Sequence, residues 1–334
     1  MRHYIIPFFI PEFGCPHRCI YCNQHAITGS MPISPLPEVD LKISQYLTTM
    51  PQSPKSVEVA FFGGNFTGLA LQEQQEYLQK AKKWIDKGAI NGIRISTRPD
   101  YINPTVLQVL KKHGVKTIEL GVQSMDDEVL KLSGRGHNAR HVEEASKLIL
   151  EYGFRLCLQM MTGLPGDSME KTMFTARRIV DLGAVETRIY PVLVIRDTPL
   201  ANMFEQGKYV PLSMPETIER CKNLVLFFEA NSVKVLRLGL HPSEGICAGH
   251  DLIAGPFHPA LRELVNTAIW KELLEKNVKH DGARKLIIEA APNQIQSVIG
   301  YKQSNKKYFL QYFKQLEIKT NKELHGREFR IDYC

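Results

Sequence analysis

The sequence predicts an α/β chain: a full or partial TIM-like (β/α) barrel followed by a small α+β unit. Three observations predict it. Strand-like and helix-like stretches alternate through the first ~255 residues, which implies βα units, a parallel sheet and right-handed crossovers. About six or seven such units can be traced, which points to a TIM-like barrel, full or partial. After residue 282 the pattern changes to strand–helix–loop–helix–strand. The expected organisation is a barrel over 1–255, a helical connector over 256–282 and a small tail over 283–334.

The 334 residues suffice for a sizeable core. With 43% apolar and 23% charged residues, a disordered chain is excluded. The net charge of +7 permits an anionic partner such as RNA without requiring one. The apolar run at the amino end is broken by Pro7 and Pro11 and is too short to span a bilayer. A cytoplasmic protein with reduced thiols and no membrane partner is expected.

The elements follow in order. Val57–Gly64 is β-rich and ends in glycines, and Leu71–Gly88 has helical spacing closed by Gly88. Ile93–Pro99 is the next strand and Pro104–Gly114 the next helix. Thr117–Ser124 is a strand, followed by helices in Asp126–Gly134 and Asn138–Gly153. Arg155–Gly166 runs from strand into a Gly/Pro loop, Met169–Gly183 is helical, and Glu186–Ile195 is a strand. Pro215–Asn231 is a helix and Val233–His241 the last barrel strand. Glycine or polar residues collect where these strands end: Gly63–Gly64–Asn65, Ser96–Thr97–Arg98, Gln123–Ser124, Gln159 and Arg196, with Gly121 beside them. Carboxyl ends of strands form the active face of such a barrel.

The stretch FGCPHRCIYCNQ, Phe13–Gln24, holds three of the seven cysteines at the spacing C-x3-C-x2-C. Thiolates bind soft metals, and three from one loop can hold three corners of a 4Fe–4S cluster with the fourth iron open. An open metal coordinates substrate. The rival reading is a Cys3His zinc knuckle completed by His17 or His25. Of the other cysteines, Cys157 reads as core, Cys221 and Cys334 carry no special role, and Cys247 lies in a glycine-rich stretch near the expected catalytic face.

This triplet, with Tyr21 before its last cysteine and GGN after the second strand, resembles the signature of radical S-adenosylmethionine enzymes. The resemblance implies a partial barrel of that type, a 4Fe–4S cluster and S-adenosylmethionine as cofactors, and reductive cleavage of the cofactor to a 5′-deoxyadenosyl radical. An electron donor such as ferredoxin or flavodoxin is implied with it. On that model Cys15, Cys19 and Cys22 ligate iron, Tyr21 packs near the adenine, and Gly63 and Gly64 let backbone approach the methionine end. By resemblance to the coproporphyrinogen-oxidase branch, Ser96, Gln123, Arg135 and Gln159 contact the cofactor. That branch carries acids at the positions matched to Ser96 and Gln159.

Three longer strings, Ile118–His137, Arg188–Leu200 and Ala254–Val265, resemble the radical domain of the catalytic subunit of Elongator and its short bacterial relatives. That subunit modifies the wobble uridine of transfer RNA. The resemblance covers most of 1–265. Its first cysteine spacing is longer than the one here, and about 70 residues follow where an acetyltransferase domain is expected.

In the tail, Lys285–Ala291 is a strand, Pro292–Gly300 a helix, Asn305–Gln315 a second helix capped by Asn305, and Leu316–Thr320 a strand. This resembles the βααβ core of a KH module, whose G-x-x-G loop clamps a nucleic-acid backbone. Gly300, Tyr301, Lys302, Lys306 and Lys307 are the candidate RNA contacts, although Gln303 stands where the second glycine belongs. The combined expectation is a radical S-adenosylmethionine enzyme acting on RNA, most simply transfer RNA. Two alternatives remain: a small-molecule radical oxidase or dehydrogenase of the coproporphyrinogen-oxidase type, and an RNA-binding protein with a structural metal centre.

Overall fold

The computed structural model describes residues 2–10, 14, 15, 19–24, 26, 34–51, 55–240, 246, 249–279, 282 and 284–334. His17, His25 and Cys247, considered above, lie outside the described residues.

Seven parallel strands stand side by side in chain order and curl into a half-barrel. They are β1 (Arg2–Ile10), β2 (Lys55–Gly63), β3 (Gly92–Thr97), β4 (Val115–Gln123), β5 (Arg155–Thr162), β6 (Glu186–Pro191) and β8 (Lys234–Leu238). Helices α1 (Val39–Thr49), α2 (Leu71–Asp86), α3 (Pro104–Lys112), α4 (Asp127–Leu132), α5 (Ala139–Glu151) and α6 (Met169–Asp181) return the chain between strands. Parallel strands covered on both faces carry unbroken apolar runs. All six residues of β3 are buried, although Arg94, Ser96 and Thr97 interrupt its apolar run. Pro7 is tolerated inside β1 because β1 is an edge strand, where a missing N–H need not leave a ladder bond unmade. Side-chain caps start the helices: Asn103 accepts from Val106 N, Asp126 from Val129 N, and Ser168 from Lys171 N.

One predicted strand divides. Glu186–Ile195 comprises β6 and a separate two-residue strand, β7 (Val194–Ile195), which pairs antiparallel with β9 (Leu252–Ala254). Arg196 therefore follows β7 rather than ending a barrel strand. Its Nε donates to His250 O at 2.8 Å, and it lines neither cavity described below. Helix α7 (Pro199–Glu205) comes next, then α8 (Met214–Ala230). Gln159 also departs from expectation: it is the fifth of eight residues in β5, below the strand's carboxyl end.

The chain divides into two units, residues 1–213 with 226–256, and residues 214–225 with 257–334. In the second, α9 (Leu261–Asn277) lies in the region expected as a connector. It packs into the unit's own core, where Trp270, Leu274, Leu286, Ile288 and Phe309 are fully or nearly fully buried. Burying a side chain of this size contributes about 1.5–3 kcal/mol. The sheet order is β11 (Gln315–Thr320), β10 (Lys285–Ala290), β12 (Phe329–Tyr333), with β10 parallel to β11 and antiparallel to β12. Helices α10 (Ile295–Ile299) and α11 (Ser304–Phe309) complete a βααβ path. Asn305 does not cap α11. It lies inside the helix, buried, and its amide donates to Thr267 O at 3.0 Å, so tertiary bonding takes the side chain away from the helix end.

Candidate active site

The cysteine stretch follows β1, and backbone bonds hold its middle from two sides. Ile20 N donates to Ser133 O at 3.2 Å, and Leu200 N donates to Ile20 O at 2.9 Å. Cys19 and Tyr21 share one buried cluster with Val129, Leu164 and Leu200. Elements following β4, β5 and β7 thus seat the cysteines. Asn65, fully buried, fixes the start of the stretch. Its amide donates to Gly14 O at 2.9 Å, while its Oδ1 accepts from Thr97 Oγ1 at 2.6 Å and Arg98 N at 3.2 Å. The approach excludes side chains: a Cβ on Gly14 would stand 2.3 Å from Asn65 O, and one on Gly68 would stand 2.1 Å from Gly14 O. The Gly63–Gly64–Asn65 turn is therefore divided in role. Its glycines face the cavity and its asparagine holds the scaffold.

Cys15, Cys19 and Cys22 line a cavity of about 370 Å³. Tyr21, Gly63, Gly64, Ser96, Gln123, Arg135 and Gln159, all anticipated from the sequence, line the same cavity. Gln24, Thr97, Arg98 and Gly121 complete its described wall. Among the described residues no three His, Cys, Asp or Glu side chains converge on a single ion. A cluster does not need such convergence, because its thiolates bind separate irons. Cys157 and Cys221 are wholly buried elsewhere, and burial pushes the Cys221 thiol up to about 12. Both stay in the neutral form that does not ligate metal.

Backbone strain shapes the wall. The β4–β5 register shifts between Gly121 and Gln123, and Gln123 takes φ +68°, the left-handed region that non-glycine residues seldom occupy. Its buried Oε1 has no hydrogen-bond partner among the described residues, and neither do Arg98 Nη1 and Arg135 Nε. An unsatisfied buried polar atom costs about 1–3 kcal/mol. Three thiols, glycines without Cβ atoms and orphaned donors and acceptors on one wall suit a thiolate-held cluster with a polar nucleoside cofactor.

Arg135 crosses behind the cysteines. Its Nη2 donates to Gly121 O at 2.6 Å and its Nη1 lies 3.4 Å from Cys19 Sγ. A Cβ on residue 121 would sit 2.7 Å from that guanidinium, so any side chain there would push Arg135 from its seat. Burial opposes the Arg135 charge, but Tyr21 and the Cys19 and Cys15 thiols outweigh it and hold the group firmly protonated. Burial, then the charges of Arg135 and Arg98, push the His137 imidazole down to about 3. It stays neutral at physiological pH and adds no second charge beside Arg135.

Beneath the wall lies a buried ion network that the sequence reading missed. Arg94, inaccessible to solvent, donates to Glu58 Oε2 (3.0 Å), Glu119 Oε1 (2.8 Å) and Glu186 Oε2 (2.7 Å). Arg188 donates twice more to Glu119, at 2.8 and 3.0 Å, and lies 4.9 Å over the Phe62 ring. Burial would raise the Glu119 pKa, yet Arg188 and Arg94 overcome it and hold the carboxyl below its ordinary range. Gln159 Nε2 donates to Glu119 Oε2 at 2.8 Å and reaches Ser96 Oγ at 3.4 Å. The one available signal was a charged residue interrupting strands otherwise apolar on both faces.

In the second unit, Gly300 at φ +82° begins the loop between α10 and α11. Lys302 and Gln303 are both left-handed, at +51° and +62°. Lys302 lies 5.5 Å over the Tyr301 ring. Lys302 and Lys307 are exposed and Lys306 half-buried, whereas Lys319 is engaged by Glu317 at 3.3 Å.

Comparison with known proteins gives the family of this chain. The radical SAM superfamily matches residues 10–179, half of the chain, and the radical SAM C-terminal domain matches 186–271. The tRNA uridine(34) acetyltransferase of Dehalococcoides mccartyi is 29% identical over 231 residues, covering 59% of this chain and 50% of that one. Elongator complex protein 3 of Saccharomyces cerevisiae is 28% identical over 240 residues, covering 58% and 43%. The chain spans about half the length of the curated relatives it matches. Among solved structures, Methanocaldococcus infernus Elp3 lacking its N-terminus superposes with a TM-score of 0.62 at 22% identity, over 82% of this chain and 63% of that one. The chain belongs to the radical SAM superfamily and is an enzyme that works with a 4Fe–4S cluster and S-adenosylmethionine.

Proposed function

We propose that this enzyme modifies RNA, with transfer RNA as its substrate, and that Cys15, Cys19 and Cys22 hold the cluster. One observation carries the site assignment: the three cysteines and all seven residues anticipated at the cofactor line a single cavity. The RNA reading draws on likeness to tRNA uridine(34) acetyltransferases and to Elongator complex protein 3. Bound together, the cluster and S-adenosylmethionine would supply radical hydrogen-abstraction chemistry at this cavity.

The chain's own residues bind, orient and shield. Gly63 and Gly64 would admit the amino-acid end of the cofactor, and Tyr21 would pack near its adenine. Arg135 stabilises the thiolate beside it. Ionised Glu119 can only accept hydrogen bonds, so the Gln159 atom facing it is the amide nitrogen. The Gln159 carbonyl is then left as an acceptor for the cofactor, serving where the coproporphyrinogen-oxidase branch uses an acid. Lys302, Lys306 and Lys307, with Tyr301, offer phosphate attraction and a stacking face in the second unit. An electron donor of ferredoxin or flavodoxin type supplies the reducing equivalent.

The test is anaerobic reconstitution followed by measurement of 5′-deoxyadenosine release with and without transfer RNA. Stimulation by transfer RNA, weakened by Ala at Lys302, Lys306 and Lys307, is the expected result. Release that no RNA alters would remove the RNA assignment and leave the cofactor chemistry standing.

A further inference from the structure

A second cavity, of about 760 Å³, adjoins the first and shares seven residues with it, Cys22 and Gly63 as well as Tyr21, Gln24, Ser96, Gln123 and Gln159. Its size falls within the range of small-ligand sites. Phe9, Tyr46, Phe62 and Tyr190 give it aromatic walls. Among the described residues neither cavity is lined by a single Asp or Glu, whereas Arg98, Arg135, Lys42, Arg188 and Arg237 line one or the other.

The partners of these cations decide which are spoken for. Arg98 pairs with Asp100 at 2.8 Å, and Arg188 with Glu119 at 2.8 Å. Arg135 faces the cysteines. Arg237 and Lys42 form no ion pair among the described residues. Glu38, one helical turn before Lys42, acts on it only at longer range, and Lys42 Nζ rests 5.0 Å from the Phe8 ring. Arg237 is moreover opposite Arg188 in the β6–β8 register, and like charges placed opposite on neighbouring strands repel. The network beneath is balanced without it, Glu58, Glu119 and Glu186 facing Arg94, Arg155 and Arg188.

We propose that Arg237 is the anion-holding group of a substrate chamber, that Lys42 on the wall of the same cavity adds positive charge to it, and that the group held is a phosphate of a nucleotide whose ring lies among the aromatic walls. The guanidinium fork matches two phosphate oxygens and the ammonium adds a point charge. The nucleotide assignment rests on the RNA reading above. The anion site itself does not.

Dissociation constants for uridine 5′-monophosphate, uridine and inorganic phosphate are to be measured on the cluster-reconstituted full chain. The wild type should prefer the monophosphate over uridine by about tenfold or more. Arg237→Ala should remove most of that preference and Lys42→Ala a smaller part of it, each leaving uridine binding unchanged. Arg237→Lys, which keeps the charge and loses the fork, should fall between and guards against loss of the fold. Equal binding of the monophosphate and uridine by the wild type would overturn the site, as would an Arg237→Ala preference equal to that of the wild type. Inorganic phosphate binding as tightly as the monophosphate would overturn the nucleotide assignment. Transfer RNA stimulating cofactor cleavage equally in wild type and Arg237→Ala would refute the site while sparing the RNA reading. Monophosphate preference with no RNA effect would do the reverse.

Discussion

Two layers of one sheet treat charge in opposite ways. In the floor of the half-barrel, Glu58, Arg94, Glu119, Glu186 and Arg188 are buried, and each carboxylate meets a guanidinium. In the cavities above, described carboxylates are absent from the walls; Arg98 and Arg188 are paired from outside them, and Arg237 and Lys42 form no ion pair among the described residues. A buried ion without a partner is expensive, and a buried pair repays its desolvation only with good geometry. The floor meets that requirement from within the chain. On the proposals above, the walls would leave it to be met by what binds there: iron beside the cysteines, polar cofactor atoms against Gln123 and an anion against Arg237. Closed charge in this molecule marks scaffold, and open charge marks function.

The comparison breaks first at the cysteines. Cys19→Ala removes one of the three thiols, and iron content after anaerobic reconstitution should fall to background together with 5′-deoxyadenosine release. RNA affinity should change little. A variant that retains full activity would show that the cluster is not held here.

The floor should respond in stability rather than chemistry. Glu119→Gln leaves Arg94 and Arg188 short of their shared partner, and breaking a buried pair in this way costs about 3–5 kcal/mol. Urea unfolding measures the loss, and a cost below about 1 kcal/mol would mean that the network is not a structural unit. The pH dependence has a definite sign. The folded Glu119 pKa lies below its unfolded value of about 4.3, so its stabilisation is complete above that pH and is lost as pH falls through the folded pKa. Wild-type stability should decline with acid across that window, and Glu119→Gln should decline less steeply.

This division also explains what the sequence could and could not disclose. The three cysteines sit within eight residues and GGN is contiguous, so their chemistry is local and readable. Strand and helix alternation is likewise local, and the elements from β2 to β6 follow it closely. The Arg94–Glu186 contact joins residues 92 positions apart, and nothing near either one names the other. Helix α1 escaped because only Val39 and Ile43 of its face are buried. Strand β12 escaped although Phe329, Ile331 and Tyr333 alternate, because its burial is only partial. Arg196 was misplaced because a polar residue after an apolar run signals a strand end without saying which sheet the strand joins.

Gln159 lies on the boundary between the layers, bonded downward to Glu119 and lining both cavities. Gln159→Glu brings a carboxyl against a carboxylate, which raises the pKa of the new group. An unfolded glutamate ionises near 4.3, while the folded one retains its proton to higher pH. The variant should therefore lose stability relative to wild type as pH rises from about 5 to 8, by about 1–3 kcal/mol. Paired urea titrations at the two pH values test this. A difference independent of pH would mean that Gln159 does not share the Glu119 carboxylate.

The smallest expected effect extends the contrast to the second unit, where the Gly300–Gln303 loop stores strain in backbone instead of charge. Gln303 holds φ +62° where a G-x-x-G loop would place its second glycine. A side chain in that conformation costs about 1–2 kcal/mol, and glycine removes the clash with the following carbonyl. Glycine also widens the unfolded ensemble, which returns part of the gain. Gln303→Gly should consequently raise stability by up to about 1 kcal/mol in thermal or urea unfolding. If the loop grips a phosphodiester backbone through the exposed Lys302, RNA affinity should be kept or improved, because the conformation that binds becomes easier to hold. A fall in RNA affinity with stability preserved would instead assign the contact to the Gln303 side chain. Loss of stability would show that glycine's extra freedom in the unfolded chain outweighs the strain it relieves.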